Sequence, residues 1–254
     1  MLLRSLPRPL IALSLMAALG ACAGAGPGAS FDERDPYRAT NEAIHDFNIS
    51  ADENFLRPVA QGYDFVTPEL LQFLVTNALN QLDSVNDFAN YVLQGEVDAA
   101  GTALGRITIN TVLGAGGLLD PATEFGLPKE NTDFGVTLGK YGASEGAYLV
   151  LPLLGPSTTR DAGGALGDMA LDPLTYTGFT SSDALNIFSP ALSGVEIVHN
   201  RAVNADVIDE VLYESENSYV SLRAVYLQRR DALILGDAAA DDALPDIFDS
   251  EPTN

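Results

Sequence analysis

Apolar positions in the middle of the chain recur at helical spacing. Leu71, Val75, Ala78, Leu82, Val85, Ala89 and Val92 alternate steps of four and three, which keeps them on one side of a helix. Pro68 suits the first turn and Gly95 the end, while Asp83-Ser84 could cap a restart, giving two helices instead of one. Val198, Ala202, Ala205, Ile208 and Leu212 form a second stripe, which continues after Ser215 as Tyr219, Leu222, Tyr226, Arg229 and Leu233. Arg223, Arg229 and Arg230 lie towards the C-terminal end of that segment, where positive charge complements the helix dipole. The ordinary reading of each stripe is a side turned to the core. No sustained alternation of period two occurs, so the expected fold class is mainly α.

Two segments depart from this pattern. Ile107 to Leu119 carries no charge; Val97, Ala100, Leu104 and Ile107 lead a helix into it, and Gly114–Gly117 break that helix. A run of this length is either a buried core helix or a re-entrant or interfacial membrane element. Asn110 and Thr111 can satisfy backbone groups where the chain turns. The second segment, Ala147 to Pro156, is too interrupted by proline for a long helix. It reads as a short strand or as an extended strip at an interface.

The ends of the chain are not expected to join the core. Residues 1–21 have Arg4 and Arg8 ahead of the apolar run Leu10–Leu19, which is too short for a spanning helix of about 20 residues and reads as an export signal. The sole cysteine follows directly in Leu19-Gly20-Ala21-Cys22, a string that resembles a bacterial lipobox, cut before an acylated cysteine. Residues 22–34 read as a tether, flexible through Gly24–Ser30. The body spans 35–235. Residues 236–254 form an acidic stretch without a base, expected to stay solvated.

Composition removes several functions. With 13 Lys+Arg against 35 Asp+Glu and a net charge of −22, the chain has no electrostatic footprint for nucleic acid. One cysteine and two histidines, His45 and His199, leave little for disulfides, zinc or acid–base chemistry. Gly142-Ala-Ser144-Glu-Gly146 fits the nucleophile-elbow string, but the segment after it is proline-broken instead of helical. Gly114-Ala-Gly116-Gly117 lacks the last glycine, the βαβ setting and the acid of a dinucleotide loop. No calcium-loop pattern is present. The expectation is a non-enzyme without a cofactor or metal.

Motifs taken in order carry a resemblance. Asp35-Pro36, Asn41 and Phe47-Asn48 are followed by Arg57-Pro58-Val59-Ala60 with Tyr63, then Asn77, Asn90 and Leu93-Gln94-Gly95. Arg106, Asn110-Thr111, Gly114, Gly116-Gly117, Asp120 and Ala122 run through the uncharged segment. Phe134-Gly135, Thr137-Leu138-Gly139, Tyr141-Gly142, Gly146, Tyr148, Leu151-Pro152, Gly155-Pro156-Ser157-Thr158, Arg160-Asp161 and Tyr226–Arg230 complete the set. In this order the blocks resemble the MlaA (VacJ) family of outer-membrane lipoproteins. Asp83-Ser84-Val85 stands where members usually carry Glu-Pro.

The resemblance implies a single ring-like helical bundle in the periplasmic leaflet of a Gram-negative outer membrane, enclosing an amphipathic channel beside a glycine-rich hairpin. It implies that stray phospholipids leave the outer leaflet through that channel for a periplasmic lipid carrier, with a trimeric porin as partner. Alanine at position 23 fits outer-membrane delivery. The hairpin and lipid path would fall on Asn110, Thr111, Gly114, Gly116, Gly117, Leu118, Leu119 and Asp120, with lipidation at Cys22. The competing function is a lipoprotein that scaffolds porins without transporting lipid.

Overall fold

The computed structural model describes residues 31–171 and 185–235; the signal segment, Cys22, residues 23–30 and the acidic tail lie outside them. In chain order the first helices are α1 (Phe31–Arg34), α2 (Arg38–Ala51), α3 (Arg57–Val66), α4 (Glu69–Gln94), α5 (Val97–Val112), α6 (Pro121–Glu124) and α7 (Phe134–Lys140). Strands β1 (Tyr148–Leu151) and β2 (Gly155–Thr158) pair antiparallel, with Tyr148 opposite Thr158. Helices α8 (Thr159–Leu171), α9 (Leu185–Val203), α10 (Ala205–Asp209) and α11 (Ser218–Leu235) follow. A π-helical turn at Asp52–Leu56 joins α2 to α3, and another at Glu210–Glu214 extends α10. The class is mainly α, and the proline-broken segment is the small β-hairpin.

Packing closes a circuit. Helix α4 packs on α9, α9 on α3, and α3 continues through the first π turn into α2. Helix α2 packs on β1, β2 on α11, α11 on α7, and α7 returns to α4. The outcome is a ring-like bundle, with α5 laid along α4 and α8 along α7.

The long helix α4 is continuous. Pro68 stands at its N-cap, and Gly95, at φ 75°, ends it in the left-handed conformation that glycine adopts without a Cβ penalty. Ser84 does not start a new helix, because its hydroxyl donates to the Asn80 carbonyl one turn back, 2.7 Å away, within the same helix.

The sides of the helices are the main surprise. Among the described residues, 20 polar or charged side chains are buried against 11 hydrophobic ones, and the latter include Ala60, Ala100, Ala103, Ala122 and Ala147. On α4 the buried residues are Asn77, Ser84, Asp87, Asn90 and Tyr91, whereas Leu71, Leu82 and Val92 of the apolar stripe are exposed. Val75, Ala78, Val85 and Ala89 are half-buried, so the stripe is real but none of it is sunk in the core. Large apolar side chains also line the outside of α3, up to Phe65 at 91% exposure. Among the described residues, no helix is long and apolar enough to cross a membrane.

Two further expectations change. The tether does not reach residue 34: α1 begins at Phe31, and Arg34 is buried. The arginines of α11 do not all serve its dipole, because Arg223 and Arg230 turn inward to carboxylates while Arg229 stays outside. A buried guanidinium needs a paired anion more than it needs a helix terminus.

Candidate functional site

Helix α5 enters the uncharged segment and stops at Val112, as expected from the glycines that follow. The chain then turns sharply: Ala115, Gly116 and Gly117 have φ of 55°, 78° and 99°. Gly117 donates to the Asn110 carbonyl at 2.9 Å, Gly116 to that of Thr111 at 3.1 Å, and Leu119 to that of Gly114 at 2.9 Å. Gly114 is buried where a Cβ would strike the Leu119 carbonyl oxygen. Gly114 and Gly117 need glycine because the backbone there folds onto its neighbours and leaves no room for a Cβ.

A polar knot lies under this apolar tip. Asn110 donates to Asp120 Oδ1 at 2.9 Å and accepts from the Ala122 amide at 3.0 Å. Arg106, almost fully buried, reaches Asp120 Oδ2 at 2.8 Å and Thr123 Oγ1 at 2.9 Å. Asp120 also caps α6 by accepting from the Thr123 amide. Burial alone would raise the Asp120 pKa, but the donors Arg106, Thr123 and Asn110 outweigh it and hold the carboxyl below its ordinary range.

Above the knot the surface is apolar and open. Val112, Leu113, Leu118 and Leu119 are 73%, 61%, 44% and 43% exposed, and Thr111 and Gly116 are exposed beside them. The segment is therefore not a sealed core helix. The structure brings together all eight expected hairpin positions, from Asn110 to Asp120. It adds three that were not expected at the hairpin: Arg106, Asn77 and Gln81. Asn77 Nδ2 donates to the Leu118 carbonyl at 3.1 Å, and Gln81 Nε2 to Thr111 Oγ1 at 2.9 Å. Arg106, the one base next to an uncharged run, was the available signal. Asn77 stood in the motif set without being tied to the hairpin, and Gln81 carried no signal, both lying far off in sequence on α4.

Across the ring the interior is ionic. Arg34 forms two 2.6 Å bonds to Glu145 and two more to Asp231. Asp35 takes hydrogen bonds from Arg223 at 2.6 Å, Tyr219 Oη at 2.5 Å and Asn41 at 2.8 Å. Arg230 joins Asp133 to Asp161. Where the two π turns meet, Arg201 binds Asp52 twice and Tyr213 donates to the same carboxylate at 2.7 Å.

The catalytic strings do not assemble. Ser144 follows helix α7 and precedes strand β1, the reverse of the strand–turn–helix order of a nucleophile elbow. His199 is fully buried, with Nδ1 2.9 Å from Tyr63 Oη and Nε2 2.8 Å from Thr76 Oγ1. Burial lowers its pKa, which keeps the ring neutral. Gly114–Gly117 end a helix, whereas a dinucleotide loop opens one.

A helical ring with charges paired inside and large apolar side chains outside is a membrane-associated bundle, since lipid inverts the usual partition. The model of the MlaA lipoprotein family matches residues 33–233, and the chain belongs to that family. An uncharacterized protein of Rickettsia felis is 35% identical over 79% of this chain and 78% of its own length. The intermembrane phospholipid transport system lipoproteins MlaA of Escherichia coli and Haemophilus influenzae are each 31% identical. Those matches cover 80% and 86% of this chain, and 79% and 87% of the relatives. A solved structure described as the structural basis for maintenance of bacterial outer membrane lipid asymmetry aligns with TM-score 0.69 at 32% identity, covering 79% of this chain and 98% of that one.

Proposed function

We propose that this chain is an outer-membrane lipoprotein, acylated at Cys22 and seated in the periplasmic leaflet, whose ring forms an amphipathic channel for phospholipids. Mislocalised phospholipid leaves the outer leaflet through it and passes to a periplasmic carrier, which preserves lipid asymmetry. A trimeric porin is the membrane partner. The reading rests on one observation above all: an open, uncharged ledge at Val112–Leu119 directly over the Arg106–Asn110–Asp120 knot. A phospholipid needs both, a polar lane for its head and hydrocarbon for its tails.

No bond is made or broken in this function. A passive conduit shifts nothing by itself, so direction comes from the carrier's greater affinity for the lipid. The chain's net charge of −22 disfavours return of anionic head groups. Native mass spectrometry of the acylated chain after mild detergent extraction tests the reading. Phospholipid bound to the chain is the expected result. A lipid-free protein that still binds porin would favour the scaffold function instead.

A further inference from the structure

Gln81 sits on α4 directly beneath the hairpin turn. Its Nε2 donates to the Ile107 carbonyl at 3.2 Å and to Thr111 Oγ1 at 2.9 Å. Its Oε1 is enclosed and accepts from no group among the described residues. Reversing the amide would set that oxygen against the Ile107 carbonyl, so the orientation is fixed by its neighbours. The turn packs on the stem of the same side chain: a Cβ on Gly117 would come 2.7 Å from Gln81 Cβ. Under the turn as it stands, Oε1 is a buried acceptor left unmade, and a donor that reaches it removes that cost.

We propose that Gln81 is a specificity-determining residue of the lipid path: its Oε1 accepts an N–H or O–H donor from the phospholipid head group. The proposal rests on the lipid-path reading above. A ligand opens a closed state only by binding the open one better, and this acceptor supplies that difference for donor-bearing heads. An ethanolamine ammonium donates; a choline trimethylammonium has no N–H and cannot. Both head groups have the same net charge, so the acidic surface does not separate them.

The full-length acylated chain is incubated with vesicles of equal parts dioleoyl phosphatidylethanolamine, its N,N-dimethyl form and phosphatidylcholine. Lipids that copurify are quantified by mass spectrometry. The wild type is expected to carry the first two about fivefold over the choline lipid, the ratio that one hydrogen bond sustains. Gln81→Met should bring all three to parity. Thermal melting checks that the variant folds; if it does not, the wild-type ratios across the three lipids decide. A smooth decline with each added methyl overturns the proposal in favour of head-group size. So does a preference that survives in Gln81→Met. Lipid carried without any preference defeats the proposal alone, whereas no lipid on the wild type defeats the underlying reading and the proposal with it.

Discussion

The hairpin and the Asp35 side of the ring both bury polar groups, but they do so for opposite ends. Around Asp35, Arg34, Arg223 and Glu145 the charges are sunk deep and fully enclosed by α2, β1 and α11. At the hairpin one ionic knot, Arg106–Asp120, sits just beneath an uncharged and open surface. The first region fixes the ring. The second presents two chemistries side by side at the surface. In a membrane-associated bundle with large apolar side chains outside, internal ion pairs hold elements together where apolar burial contributes little.

This contrast can be broken at several places. Asp35→Ala removes the buried carboxylate that accepts from Arg223, Tyr219 and Asn41 and should cost about 3–5 kcal/mol in unfolding measured in detergent. A loss below 1 kcal/mol would show that the ionic side is not the brace. Gly117→Val adds left-handed strain of about 1–2 kcal/mol and a collision with Gln81 typical of overpacking, about 1–3 kcal/mol. Lipid carriage should fall with it. Gly116→Val meets open space, so only the strain applies and carriage should fall less. Equal losses in the two variants would mean that the turn's flexibility, and not its seat on α4, matters.

Acid gives the smallest effect. The Asp120 pKa is depressed, so its contribution is complete above the ordinary value of 3.8 and disappears as pH falls through the lower, folded value. Amide exchange at Leu119 should therefore accelerate only below that ordinary value. Asp120→Asn should flatten the response.

Local geometry was legible in the sequence where it depends on neighbours in the chain. Pro68 and Gly95 set the ends of α4, and Gly114–Gly117 set the hairpin, because capping and left-handed turns are decided within a few residues. That the Leu71–Val92 stripe would leave the buried side of α4 to polar residues was not legible. Periodicity reports that a helix has two sides, and the solvent decides which one is hidden. The ion pairs were equally invisible, since Arg34 meets Asp231 and Arg223 meets Asp35 across most of the chain. Gln81 is the plainest case: its partner positions Ile107 and Thr111 were in view, but only folding brings α4 beneath them.

Leaflet-resolved transfer addresses the central claim most directly. Vesicles containing the full-length acylated chain, with fluorescent phospholipid confined to the leaflet opposite the anchor, are mixed with a lipid-binding acceptor on the anchor side. The account predicts that fluorescence reaches the acceptor only when both chain and acceptor are present, and more slowly with Gly117→Val. Transfer no faster than in protein-free vesicles would contradict it.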